Sequence, residues 1–233
     1  MRLEKASHKA IKYACLNFHY AKSVPVNPFA FSVFNDKNEW CGCVLFSLGA
    51  NPRLGSQYGL QNGQVVELVR MALNGKQEKT SKVLSLSMRL LPKYLPAVRL
   101  VVSFADQNQN HIGVIYQATN WIYDGIGVST PKWMHNGREV HQRMIAGYFG
   151  SVANATKQGV EKRKVLDKYR YIYPLDKSLI PLCESRRKPY PKKCDSSITA
   201  NAAAFQVAEE GRHHPIAPLK ITKNGKPYEK KQS

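Results

Sequence analysis

Between residues 65 and 126 the chain alternates strand, helix, strand, helix, strand, and no other stretch constrains its fold as strongly. "VVELVRMAL" (65–73) is apolar and β-branched, and "TSKVLSLSMRLLPKYL" (80–95) has helical spacing with Thr80 or Ser81 as a candidate N-cap. "AVRLVVSFA" (97–105) predicts a second strand, residues 111–119 a short helix, and "WIYDGI" (121–126) a third strand. Strands joined through single helices must pair at least partly in parallel, by right-handed crossovers. Upstream, Ala6, Ala10, Ile11, Ala14, Cys15, Phe18 and Ala21 recur at three- and four-residue steps, predicting an amphipathic helix over 4–21 that Pro25 and Pro28 stop. Strands at 29–35 and 40–48 form a predicted hairpin around Asp36-Lys37-Asn38, and residues 131–145 another around Asn136-Gly137. The predicted class is α/β, a mixed central sheet with helices on both faces.

Charge narrows the partner. Lys and Arg total 35 against 16 Asp and Glu, a net charge of +19. Such an excess attracts polyanions by phosphate neutralisation and counterion release, so nucleic acid is the expected partner, with a merely basic soluble protein as the rival. The basic residues are densest in 151–195, where twelve Lys and Arg face five Asp and Glu, interleaved with Tyr169, Tyr171, Tyr173 and Tyr190. The predicted organisation is a catalytic domain over 1–150, a basic Tyr-rich extension over 151–195 packed on it, and a largely flexible tail over 196–233 with a short helix near 200–209. No apolar run approaches the ~20 residues of a membrane span, and Met1 to Lys12 carries no signal-peptide core. A cytoplasmic protein without membrane contact is expected. Five cysteines without CxxC spacing fit a reducing compartment; Cys41 and Cys43, alternating on a strand, are expected on one face, in core packing or as a weak metal pair.

Several polar residues interrupt the pattern where chemistry could occur. Asp106 follows the strand 97–105 at its C-terminal end, where open α/β sheets place their sites, though an Asp there also caps a following helix. Tyr116 is either a core residue with a bonded hydroxyl or a proton donor. His19 is structural or functional, and His111 reads as a helix-start residue. Glu67 and Arg70 stand three apart on a central strand and are expected on opposite faces. One of them would face a cleft, Arg70 holding an anionic part of a donor, unless it makes a structural ion pair. The loop 49–63 is long enough to be functional, and its Tyr58 could stack on a base.

The order over 1–150 resembles the GNAT acyltransferase fold, with Tyr116 four residues before Asn120-Trp121 at the next strand. A more specific resemblance runs over about 10–195. "NFHYAK" (17–22), "SFADQNQNHIGVIYQATNWIYDG" (103–125) and "KYRYIYPL" (168–175) resemble the phage Mu Mom family, GNAT-like proteins that modify DNA adenines. The resemblance implies a phage-encoded transferase placing a carbamoylmethyl group on the N6 amine of adenine in double-stranded DNA, which protects the DNA from host restriction. It implies iron as the metal, held by His19, Tyr20, Asp106 and Tyr116, with these residues as the catalytic set, to which the reading of the central strand adds Arg70. His, Asp and Tyr suit iron chemically, and a metal would assist bond formation at a methylene carbon. Where GNAT proteins carry a Gly-rich loop for CoA, "RMALNGKQEKTSKV" (70–83) holds one glycine, so acetyl-CoA or another activated acyl or aminoacyl-type donor stays open.

DNA would be met by the hairpin residues His135, Arg138, His141 and Arg143, and by Lys162, Arg163, Lys164, Arg186, Arg187 and Lys188 as phosphate contacts. The adenine would be flipped from the duplex to react. A homodimer is compatible with the sequence. The rivals are a conventional GNAT N-acetyltransferase on a protein or small molecule, and a non-catalytic basic DNA-binding protein.

Overall fold

The strands at 65–73 and 100–106 do pair in parallel, and the sheet grows outward from them. The computed structural model describes residues 1–48, 53–129, 131–140 and 142–192. Its elements in chain order are β1 (Arg2–Lys5), α1 (His8–Phe18), β2 (Phe29–Phe34), β3 (Trp40–Ser47), β4 (Val65–Leu73), α2 (Thr80–Tyr94), β5 (Leu100–Asp106) and α3 (Val114–Gln117). Then follow β6 (Ile122–Gly127), β7 (Lys132–His135), β8 (Arg138–Val140), α4 (Gln142–Phe149), α5 (Val152–Lys157), β9 (Glu161–Arg163), β10 (Lys168–Pro174) and α6 (Ile180–Ser185). The seven-stranded sheet has the order β1-β2-β3-β4-β5-β10-β6, with β4–β5 as its parallel pair and antiparallel neighbours elsewhere. This is the mixed α/β sheet flanked by helices that the sequence implied.

Two strands depart from the expectation. Arg2–Lys5, whose last two residues the sequence placed inside the first helix, are edge strand β1 against Phe31–Phe34. The helix begins only after Ser7, whose Oγ accepts from the Ala10 amide at 3.2 Å, and it ends at His19 in extended backbone rather than at Ala21. The larger departure is β10, which lies between β5 and β6. The expected boundary at 150 therefore does not divide this fold, because Met1–Lys192 is one compact unit. Tyr169, Tyr171 and Tyr173 line the sheet face covered by α2 and α3, beside Trp121 and Val101. Residues 193–233, including the expected tail helix and Cys194, lie outside the described residues.

On the opposite face two separate apolar patches form. Under α1, Ile11, Ala14 and Cys15 meet Cys43, Leu45 and Ala72. Under the 53–60 turn and α6, Leu54, Tyr58 and Cys183 meet Val65, Leu100, Val102 and Ile172. Along β4, Val65 belongs to one patch and Val69 packs against the other, and Glu67 stands between them.

Bulges correct two predictions about faces. Val33 pairs with Gly42 and Phe34 with Trp40, leaving Cys41 unopposed. Cys41 thus joins the cluster of Phe31 and Val44, and Cys43 joins that of Cys15 and Leu45, so the two thiols face opposite ways and serve packing. Gly42 is obligatory at φ +116, where an added Cβ would stand 2.1 Å from the Ala72 carbonyl oxygen. A second register shift, between Leu45 and Phe46, sets Leu68 opposite Phe46 and Arg70 opposite Leu45. The extra residue on β4 cancels the alternation that predicted opposite faces for Glu67 and Arg70.

The hairpin expected at 131–145 exists as β7 and β8, turning through Asn136 (φ 50) and Gly137 (φ 73). It does not project alone. β9 completes a three-stranded sheet in the order β8-β7-β9, and Trp133, Ile145, Ala155 and Val160 form a small core with α4 and α5. The helix expected over 111–119 shortens to α3, after a 3-10 turn at Gln107–Gln109.

Candidate active site

The parallel ladder between β4 and β5 stops early. Pairing runs from Val65–Leu100 to Leu68–Ser103, yet β4 continues to Leu73 and β5 to Asp106 without further pairing between them. At the last rung the Ser103 hydroxyl donates to the Leu68 carbonyl at 2.8 Å, and it lies 2.7 Å from the Tyr116 hydroxyl. Ser103 has one proton and spends it on Leu68, so Tyr116 donates to Ser103. Burial pushes the Tyr116 phenol up to about 12, against the lowering effect of Ser103.

Arg70, on the unpaired part of β4, reaches the residues after α1. Its Nη1 is 3.2 Å from His19 Nδ1, its Nη2 donates to Ser23 Oγ at 3.0 Å, and its buried Nε has no acceptor among the described residues. The Ala21 amide also donates to His19 Nδ1 at 3.1 Å. With two donors on Nδ1, the imidazole carries its proton on Nε2. Burial first, then the charge of Arg70, with His111 and Lys22 behind it, lowers His19 to about 4, so the ring is neutral at ordinary pH. Tyr20 stacks on His19 with centroids 4.3 Å apart and meets His111 edge-on at 6.3 Å. Packing around the ring and the Asp106 carboxylate raise the Tyr20 phenol.

Asp106 takes the capping role that the sequence left open. Its Oδ1 caps the 3-10 turn, accepting from the Asn108 amide at 2.9 Å and Nδ2 at 2.8 Å, and its Oδ2 is 3.6 Å from Lys168 Nζ. Glu67 is half-buried on the same face of β4; burial raises its carboxyl, and Lys168 and Arg70 partly offset that. His19, Tyr20, Arg70, Asp106 and Tyr116, predicted from separate segments, therefore lie near one another where the β4–β5 ladder stops. The sequence left Glu67 open and missed Ser103 and Lys168. A serine inside "LVVSFA" was the available signal for Ser103; for Lys168 nothing local marked it, because its neighbours are set by the insertion of β10.

Among the described residues no three His, Cys, Asp or Glu come together to hold a metal. The donors that could hold iron are the Asp106 carboxylate, which accepts from Asn108 and faces Lys168, the phenols of Tyr20 and Tyr116, and His19, whose Nδ1 faces Ala21 and Arg70.

The expected DNA residues separate into three groups. Arg186 is committed elsewhere: its Nε donates to Asp124 Oδ1 at 2.8 Å and its Nη2 to Oδ2 at 3.1 Å. The same buried carboxylate accepts from Arg170 Nε and from the Tyr58 hydroxyl, both at 2.7 Å. Tyr58 is therefore 2% exposed, with Arg186 over its ring at 4.8 Å, and is not free to stack on a base. Arg187 pairs with Glu184 at 2.6 and 2.8 Å, and Lys188 lies across Gly125. His135 is bound to the Gln158 carbonyl at 3.2 Å. Lys162 sits over the Trp133 ring at 5.8 Å, and Lys162, Arg163 and Lys164 are exposed along β9 and beyond. His141 and the side chains of Arg138 and Arg143 lie outside the described residues.

The model of the Mom protein family matches residues 1–192. A methylcarbamoylase of Escherichia phage Mu is 28% identical over 189 residues, covering 75% of this chain and 76% of that protein. Among solved structures, a spermidine N-acetyltransferase of Vibrio cholerae aligns over 78% of this chain and 99% of its own, at 10% identity and a TM-score of 0.46. A Bacillus subtilis acetyltransferase in complex with CoA aligns over 74% and 97%, at 11% identity and a TM-score of 0.41. No helix among the described residues is long and apolar enough to cross a membrane.

Proposed function

The chain belongs to the Mom protein family, and from that premise we propose that it is a phage DNA-modifying transferase placing a carbamoylmethyl group on the N6 amine of adenine in double-stranded DNA. The observation that carries this reading is the convergence of His19, Tyr20, Arg70, Asp106 and Tyr116 at the end of the β4–β5 ladder. The name of the phage Mu relative, a methylcarbamoylase, supports the group transferred. Protection of the modified DNA from restriction follows as its biological use.

The exocyclic amine is a weak nucleophile, since its lone pair is delocalised into the ring, so the cleft must orient it and manage charge. The unsatisfied Nε–H of Arg70 is a ready donor to a carbonyl or anionic oxygen of the incoming group, whether acyl or aminoacyl in type. Tyr116, held protonated and aimed at Ser103, is suited to donate a proton to a leaving group. An iron held by Asp106 and Tyr20, with His19, or with Tyr116 in place of its proton-donor role, would supply Lewis-acid or redox assistance at the methylene carbon. Lys162, Arg163 and Lys164, with the hairpin β7–β8, would meet phosphates, and a flipped adenine would reach the cleft.

The test is nucleoside mass spectrometry of plasmid DNA from a host producing the protein. A deoxyadenosine heavier by one carbamoylmethyl group is expected, and it should vanish in Asp106→Ala and Tyr116→Phe while DNA binding persists. Soluble wild-type protein with unmodified DNA overturns the reading.

A further inference from the structure

A groove of about 730 Å3 lies between α1 and the strands β1, β2 and β3, with Tyr13, Phe18 and Trp40 in its wall and Lys5 and Lys9 beside them. The three rings pack pairwise at centroid distances of 5.7, 5.8 and 5.7 Å, tilted or edge-on, and form one continuous apolar surface. That surface is not closed into the core. Tyr13 is 53% exposed, and its hydroxyl has no hydrogen-bond partner among the described residues. Neighbouring polar atoms are spent within the protein, Trp40 Nε1 donating to Ser32 Oγ at 3.3 Å and Asn74 Nδ2 to the Trp40 carbonyl at 3.3 Å. The groove therefore offers ring faces and cations rather than a set of directed hydrogen bonds. Residues 1–22 hold five Lys and Arg against one acid, Glu4, which Arg2 pairs. Lys5 and Lys9 enter no ion pair among the described residues.

Exposed rings flanked by free cations suit a ligand that combines flat π-faces with negative charge, which is the chemistry of unpaired nucleotides. The two lysines would repel a cationic ligand, and an apolar peptide would leave them without a counter-charge. Resting on the function proposed above, we infer that this groove binds unpaired nucleotides of the target DNA strand, beside the adenine delivered to His19. Phe18 lines the groove and His19 follows it directly in the chain, so one helix carries the stacking surface and sets the first site residue at its end. Turning an adenine out of the duplex costs unstacking and unpairing energy. A neighbouring base laid on Tyr13, with its phosphates against Lys5 and Lys9, offsets part of that cost and holds the strand while the amine reacts.

The experiment uses the full-length protein and an oligothymidine of about 16 nucleotides, labelled for anisotropy and unlabelled for tryptophan emission, with no donor present. Tyr13→Ala should weaken binding about 5–150-fold, the worth of one stacked base, while Tyr13→Phe binds as wild type and both variants still melt cooperatively. Lys5→Gln combined with Lys9→Gln should flatten the salt dependence by about 1.4 units of log–log slope. Of the three tryptophans, Trp121 and Trp133 are buried, so quenching by the oligonucleotide should come from Trp40 and be absent in Trp40→Phe. A Tyr13→Ala affinity within about twofold of wild type overturns the inference, as does quenching that survives in Trp40→Phe. Self-association that Tyr13→Ala abolishes, with oligonucleotide binding unchanged, overturns it in favour of a second copy of the chain. Plasmid DNA left unmodified by the wild type, with oligonucleotide binding lost in Tyr13→Ala, removes the function proposed above and leaves the occupant of the groove; normal modified deoxyadenosine with an unaffected Tyr13→Ala removes the groove alone.

Discussion

Asp124 offers the sharpest test of how the site is supported. It is 3% exposed and anchors three groups from distant segments: Arg170 of β10, Arg186 after α6, and Tyr58 of the 53–60 turn. The Arg170 and Arg186 side chains are themselves only 17% and 28% exposed. Asp124→Asn keeps the shape but strands two largely desolvated guanidinium groups without their counter-charge. Breaking a buried pair from one side costs about 3–5 kcal/mol. For a body of this size each kcal/mol moves the melting temperature by about 2–4 °C, so a fall of roughly 6–20 °C is expected. The control is Glu139→Gln, which breaks the Lys132–Glu139 pair at 2.9 Å, where both side chains are more than half exposed. There the loss should be about 0–1 kcal/mol. Differential scanning fluorimetry of both variants, checked by urea unfolding, makes the comparison. Combining Asp124→Leu with Arg170→Met, Arg186→Met and Tyr58→Phe should recover much of the loss, because no stranded polar group remains. Equal shifts for Asp124→Asn and Glu139→Gln would refute the argument, and so would a combined variant no more stable than Asp124→Asn.

Three further outcomes are expected. Replacing Lys162, Arg163 and Lys164 together by Gln should flatten the salt dependence of DNA binding by ~2–3 units of log–log slope, whereas Arg186→Gln should lower stability and leave that slope alone; fluorescence anisotropy across a salt series decides. Gly42→Ala should destabilise by at least ~2 kcal/mol in urea unfolding, since the backbone holds φ +116 and the new Cβ would strike the Ala72 carbonyl. Asp176 is lowered to about 2 by the Ser178 amide and by Arg99, so its contribution is full above the ordinary carboxylate range and fades as pH falls from there toward 2; Asp176→Asn should flatten that segment of the acid-stability curve.

Local pattern carried a good deal. β4 was readable to the residue because its apolar β-branched run ends at a turn, and α2 was placed within a residue because its periodicity is strong. Even there the cap differed: Lys79 precedes the helix without a side-chain bond, and Thr80 accepts from Gln77 instead. The convergence of His19-Tyr20 with Asp106 and Tyr116 was legible only through the family resemblance. Their spacing along the chain carries no information about a gap that opens where two strands stop pairing.

By itself the sequence determined the crossover at 65–106, the helix periods, the Asn136-Gly137 turn and the basic charge, all properties of neighbouring residues. Tertiary structure decided the rest, because it depends on which distant segment supplies hydrogen bonds. "KYRYIYPL" reads as basic and aromatic, yet between β5 and β6 its tyrosines become core, Arg170 becomes a buried counter-charge, and Lys168 arrives beside Asp106. One extra residue in β4 turned Arg70 toward His19, so a cleft whose residues the sequence could name took its shape from a bulge and an inserted strand.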